Sequence, residues 1–275
     1  MSPSQFDRHE SAEPAQVLRW WVETGVDFAI DESPHDRFEE SRPRASDPAA
    51  DGVPVRAARL AKIEPAAIAP PDEALLSARA LAAGAASLED LRKALESFEG
   101  CGLKGTATQL VFSDGVADAK VMLVGEAPGG EEDRIGRPFV GRAGQLLDRM
   151  LSAIGLDRSR VYIANVVPWR PPGNRTPTLQ ETAICLPFIR RQIELVGPKI
   201  LVCLGASSAQ TLLGVKEGIT RVRGKWFDYP LGGGAIPALA MFHPAFLLRQ
   251  PAQKRWVWRD LRALSQALAE IGNSE

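Results

Sequence analysis

Val121-Met122-Leu123-Val124-Gly125-Glu126-Ala127-Pro128-Gly129 is an apolar run that stops at a Gly/Pro-rich loop. Four consecutive apolar residues bounded by turn formers read as a buried strand. The loop sets exposed backbone and one carboxylate, Glu126, at the carboxyl end of that strand. Open α/β sheets bind their ligands at such ends. The following run, Arg137-Pro138-Phe139-Val140-Gly141-Arg142-Ala143-Gly144, adds one aromatic ring to the same region. Apolar residues at 146, 147, 150, 151 and 154 then keep to one face of a 3.6-residue period, which predicts a helix over 143–154.

Outward from this core, strand and helix signals alternate. Strands are predicted at 108–112, 121–124, 161–167, 200–204 and 238–242, and helices at 143–154, 180–196 and 207–213. Strands separated by helices imply a parallel sheet in a layered α/β fold. Two more helices are predicted upstream, at 72–83 and 87–98, the second capped by Ser87 with Asp90 three residues on. A helix is also expected over 14–30, carrying Trp20 and Trp21, followed by a loose Pro-, Asp-, Arg- and Ala-rich segment over 31–72. Residues 1–72 thus read as an acidic N-terminal extension and 73–275 as a catalytic domain.

The 275 residues are 45% apolar, enough for a sizeable core. No apolar run is long enough to span a membrane, and no signal-peptide pattern opens the chain, so a cytoplasmic location without membrane contact is expected. Three cysteines do not make a disulfide framework. A P-loop pattern is absent, which leaves nucleoside triphosphate hydrolysis without support. The net charge of −1 conceals an asymmetry. Residues 1–100 hold 11 Lys and Arg against 19 Asp and Glu, so residues 101–275 hold 22 against 15. A basic second part suits a polyanionic substrate, because Lys and Arg displace the counterions around phosphates.

Three polar residues fall at predicted strand ends: Glu126, Asn165 and His243. In a parallel sheet those ends face one way, so an acid, an amide and an imidazole converge on one crevice. Each alone has a plainer reading: a solvated acid, a satisfied core amide, a turn histidine before proline. His243 is, however, the only histidine after residue 35, so an imidazole in the catalytic part has to be this one.

GEAPGGEEDRIGRPFVGRAGQLLDRML (125–151), YIANVVPWRPPGNRTP (162–177) and FHPAFLLR (242–249) resemble the three motifs of the family 4 uracil-DNA glycosylases, repair enzymes that remove uracil from DNA. The likeness spans about residues 97–262. It implies a three-layer α/β/α fold around a four-stranded parallel sheet, with one of the five predicted strands peripheral. It also implies a monofunctional hydrolase that flips deoxyuridine from single- or double-stranded DNA and cleaves the N-glycosidic bond with water, a reaction that needs no metal; a monomer is expected. A non-catalytic module that binds uracil or damaged DNA is the alternative.

Residue roles follow from the same resemblance. Phe139 would stack on the extruded uracil, with Ala127 beside it. Asn165 would bond the N3–H and O4 edge, whose donor pattern cytosine reverses. His243 would donate to O2 as charge develops there. Glu126 would stabilise the sugar cation or orient water. Phe246, Leu247, Leu248 and Arg249 would wedge into the duplex. Gly205 and Ser207 would hold a phosphate at a helix start, and Arg175 another. The loop Arg170–Pro177 is short and lacks a histidine, which points to turnover rather than a trapped adduct.

Members of the family usually carry a [4Fe–4S] cluster on four cysteines. The corresponding positions here are Phe98, Cys101, Trp169 and Cys185, so two of four thiolates remain. The expectation is a protein without an iron–sulfur cluster or other cofactor, with Phe98 and Trp169 filling the vacated volume. Cys203 reads as a small core residue.

Overall fold

The computed structural model describes residues 71–272, all within one compact unit. The helix expected over 14–30 and almost all of the segment expected over 31–72 lie outside the described residues.

Fully buried five-residue strands form the middle of the sheet: β2 (Val121–Gly125), β3 (Val161–Asn165) and β4 (Ile200–Leu204). With β6 (Gly234–Met241) they give four adjacent parallel strands in the order β3-β2-β4-β6. This is the four-stranded parallel sheet that the resemblance implies. Two antiparallel edge strands extend it: β1 (Asp114–Gly115) beside β3, and β5 (Trp226–Leu231) beside β6.

Alternation along the strands separates two cores. Met122, Val124, Tyr162, Ala164, Leu201 and Cys203 point to one face. There they meet α1 (Pro71–Gly84), α2 (Leu88–Ser97), α5 (Leu179–Val196) and α6 (Ala206–Leu213). Val121, Leu123, Val161, Ile163, Val202 and Leu239 point to the other. There they meet α4 (Arg142–Ser152), α8 (Pro244–Arg249) and α9 (Lys254–Gly272). The result is a three-layer α/β/α fold. Two short helices, α3 (Gly130–Ile135) and α7 (Ile219–Val222), lie in the connections.

Helix starts follow the expected chemistry. Ser87 Oγ accepts the Asp90 N–H at 3.1 Å. Thr178 and Glu181 form a reciprocal capping box at the head of α5. At α6 the cap is Gly205 at φ 96°, without a side-chain bond, and Ser208 Oγ instead donates to the Val124 carbonyl at 2.7 Å.

The strand expected over 108–112 is not one. Its polar groups are satisfied elsewhere: the Thr108 N–H and hydroxyl both donate to Asp133 at 2.8 Å, and the Val111 N–H to the Pro168 carbonyl. A segment whose hydrogen bonds go to a side chain and a loop has no ladder to join. No helix among the described residues is long and apolar enough to cross a membrane.

Candidate active site

The carboxyl ends of β2, β3, β4 and β6 open onto one cavity of about 600 Å³. Glu126, Phe139, Asn165 and His243 all line it, and Ala127 lies beside Glu126. Each is delivered by a strand end or by the loop beyond it. Glu126 follows β2, Asn165 is the last residue of β3, and His243 follows β6 by two positions.

Asn165 is 4% exposed, and its Oδ1 is a buried acceptor with no hydrogen-bond partner. Buried polar atoms in folded proteins are almost always paired, so an orphan on a residue that lines a cavity marks a place for a ligand's donor. Gly125 makes room for this amide. A Cβ there would collide with Asn165 Oδ1 and stand 2.7 Å from the Phe139 ring.

Phe139 is held in a left-handed conformation, φ 55°, which a bulky residue adopts only under constraint. The constraint is visible on both sides of the turn. Arg158 donates to the Pro138 carbonyl at 3.2 Å and to the Phe139 carbonyl. Glu132 Oε1 accepts the Val140 and Gly141 N–H groups at 3.0 and 2.9 Å, and its Oε2 accepts the Gly129 N–H at 3.1 Å. Arg158 is itself fixed by Asp114 and by Asp148. Burial alone would raise the Asp114 carboxyl, but bonds from Arg137 and Arg158 outweigh it and hold it below its ordinary value. Gly144 completes the fit, since a Cβ there would land on the Phe139 carbonyl oxygen.

His243 caps α8. Its Nδ1 accepts the Ala245 N–H at 3.1 Å, which leaves the ring proton on Nε2. Burial, reinforced by the charge of Arg249, lowers its pKa to about 4 against an opposing pull from Glu132. At neutral pH the side chain is therefore a neutral imidazole with one outward donor. Burial pushes the Glu126 carboxyl above its usual value, opposed by a hydrogen bond from Thr176.

The residues expected to touch DNA divide. Gly205, Ser207, Arg175, Phe246 and Arg249 all line the cavity. Leu248 is 38% exposed. Leu247 is 1% exposed and belongs to the core beneath α8, so it is not a wedge residue. Residues 246–249 lie on the helix α8, whose period turns one leucine inward and the next outward. Arg175 is paired through both guanidinium nitrogens with Glu181. Glu132 and Arg158 were not anticipated. Glu132 had a legible signal, a Glu three residues after the Gly129 cap. Arg158 had none, because its partners are backbone carbonyls distant in sequence.

The uracil DNA glycosylase superfamily profile matches residues 112–262. The chain belongs to the uracil DNA glycosylase superfamily. Within it, the chain is 40% identical over 188 residues to the type-4 uracil-DNA glycosylase of Thermotoga maritima, covering 67% of this chain and 96% of the relative. It is 39% identical over 184 residues to that of Archaeoglobus fulgidus, covering 66% and 92%. It is 39% identical over 178 residues to that of Pyrobaculum aerophilum, covering 63% and 91%.

This assignment corrects one expectation. A protein without a cofactor does not follow from the sequence, because the type-4 relatives belong to a class of iron–sulfur enzymes. At the four positions in question, Cys101 and Cys185 are buried with their Sγ atoms 4.0 Å apart, and Phe98 and Trp169 are buried. No group of three or more His, Cys, Asp or Glu that could hold a metal occurs among the described residues. The donors present do not fit a four-thiolate cluster, and no chemical step below runs through one.

Proposed function

We propose that this chain is a type-4 uracil-DNA glycosylase whose site hydrolyses the N-glycosidic bond of an extruded deoxyuridine. The unpartnered Oδ1 of Asn165 carries the reading. It is a buried acceptor on a residue that lines the cavity, and uracil N3–H is a donor. The amide nitrogen would then donate to O4. Cytosine presents an acceptor at N3 and a donor at its amino group, so both bonds would become repulsions. Sites built on such pairing discriminate strongly, because the wrong base leaves buried groups unpaired.

The bound base would lie against Phe139, with Ala127 at its edge. As the C1′–N1 bond breaks, its electron pair passes to uracil and positive charge develops on the sugar. The neutral His243, with its proton on Nε2, would donate to O2, where that negative charge accumulates. A preset donor of this kind costs no reorganisation during the reaction. Glu126 would stabilise the sugar cation and orient the attacking water. Water adds its hydroxide to C1′, and its proton leaves to solvent or to uracil. The products are free uracil and an abasic site.

Gly205, Ser207, Arg175, Phe246, Leu248 and Arg249 are the proposed DNA contacts, and the substrate is uracil-bearing DNA in single- or double-stranded form. We assign the catalytic domain to residues 73–275 and an acidic extension to residues 1–72. A monomer acting in the cytoplasm completes the reading.

Single-uracil oligonucleotides treated with the protein and then with alkali test it. Strand breaks are expected, lost in Asn165→Ala and reduced in His243→Ala. Breaks undiminished without the Asn165 amide would overturn its role.

A further inference from the structure

Trp256, in the first turn of α9, is ringed by three guanidinium groups. Those of Arg255, Arg259 and Arg223 lie 5.1, 5.3 and 5.6 Å from its ring centroid. One carboxylate meets the group, that of Asp260, which is buried and engaged by Arg223 through both Nε and Nη2. Arg255 and Arg259 are exposed and make no ion pair among the described residues.

The arrangement works against the fold. Residues 254–262 carry Lys254, Arg255, Arg259 and Arg262 against Asp260 alone, whereas 263–272 carry no cation. Cations near a helix N-terminus oppose the helix dipole, and no acidic residue occupies the first turn to offset them. Arg255 and Arg259, four residues apart, add a like-charge pair. The Arg223 guanidinium is lowered from its ordinary range by burial and by the charge of Arg259. Local rules broken together, with exposed cation–π contacts as the return for Arg255 and Arg259, point to function.

The cluster shares a wall with the cavity. Arg223 also lies 6.0 Å from the centroid of Phe242, whose ring meets that of Phe246 in a tilted pair with centroids 4.8 Å apart. Both phenylalanines line the cavity. The parallel strand β6 runs towards it, and α8 and the short turn 251–253 bring the first turn of α9 to that same end. The cations occupy the part of α9 nearest the site.

We propose that Arg255 and Arg259, grouped with Arg223 around Trp256, hold phosphates of the DNA strand beside the extruded nucleotide. The proposal rests on the glycosylase reading and extends its DNA contact beyond the cavity. Guanidinium forks match phosphate oxygens in pairs. The indole face between them restrains their side chains, so less freedom is lost on binding. Contacts of this kind position the strand and carry no sequence preference.

The test is Arg255→Gln/Arg259→Gln in the full chain. Uracil release is followed from a long single-stranded oligonucleotide and from a trinucleotide, each with one uracil, over a range of salt. For the long substrate, KM is expected to rise about tenfold near 0.1 M salt with kcat within about twofold of the parent. The slope of log KM against log salt should fall by about 1.4, the loss of two single-strand phosphate contacts. KM for the trinucleotide should stay at the parent value. The melting temperature should stay within a few degrees of the parent, since relieved repulsion offsets the two lost cation–π contacts. Parent-like KM and salt slope on the long substrate would overturn the proposal, as would an equal rise for both lengths or a marked fall in melting temperature. A parent that releases no uracil would instead defeat the glycosylase reading. Anisotropy of a uracil-free oligonucleotide still reads the salt slope in that case.

Discussion

The Phe139 ring stacks on the imidazole of His243, with centroids 5.4 Å apart and planes inclined by 29°. These residues come from motifs more than a hundred positions apart, joined only through the sheet. The Phe139 turn is fixed by Arg158 and Glu132, and the His243 ring by the Ala245 N–H. Both walls of the cavity are thus set before any base arrives, and such preorganisation separates catalysis from mere binding.

Removing the Asn165 amide should separate activity from stability. The orphan Oδ1 contributes desolvation cost without a bond, so its loss relieves the folded state. Asn165→Ala is expected to lower kcat/KM by about 100-fold while the melting temperature stays within a few degrees of the parent. Uracil release with thermal melting on the same preparation checks both.

The acid limb of the pH profile should belong to Glu126 rather than His243. Glu126 has to be ionised to serve the sugar cation, and burial sets its pKa above 4.5. His243 stays neutral down to about pH 4. Activity should therefore fall on acidification through a value above 4.5, without an inflection at 6.5, and Glu126→Gln should flatten the limb along with most of the rate. For stability the sign follows from a depressed histidine. The contribution of neutral His243 is complete above pH 6.5 and is lost as pH falls towards 4, because the unfolded chain takes up the proton first. Melting of the parent against His243→Gln between pH 7 and 4 should show the gap close from the parent's side.

Gly125→Ala should close the site from below. The new methyl group meets Asn165 Oδ1 and the Phe139 ring, both at the base-binding surface. A loss of kcat/KM of about 100-fold or more is expected, with little change in far-UV circular dichroism. Unchanged kinetics would mean that neither side chain is held where the geometry has it.

Breaking the clamp on Phe139 should cost both stability and binding. Arg158→Met leaves Asp114 without one of its two guanidinium partners and the Phe139 carbonyl without its donor. Denaturant unfolding is expected to report a loss of about 3 kcal/mol. KM should rise more than kcat falls, since the turn that presents the ring loses its restraint. Arg158→Lys should not rescue KM, because an ammonium group lacks the planar fork that spans carbonyl and carboxylate together.

The parts legible in the sequence were those whose signal is local. Val121–Val124 and Ile200–Leu204 announced buried strands by unbroken apolar runs, and Ser87 marked a helix start as capping chemistry requires. Phe139, Asn165 and His243 sit in long motifs and could be named as site candidates before any coordinates. The edge strand β5 and the helix α9 escaped, the first because its exposed Trp226 and Pro230 break the alternation of a strand. Leu247 was misread as a wedge residue with its neighbours because the period of α8 turns it inward. Arg158 acts on backbone carbonyls far away in sequence, which leave no mark there, whereas Glu132 stood at a legible capping position that was passed over. The cofactor expectation rested on counting cysteines, and the type-4 relatives do not support it, although the donors at the four positions here do not make a four-thiolate set.

The most direct measurement uses two oligonucleotides identical but for uracil or cytosine at one position, with the freed base quantified by chromatography. Stoichiometric uracil is expected from the first and no cytosine from the second, as the proposed Asn165 pairing requires. Release of neither base, or of both at similar rates, would contradict it.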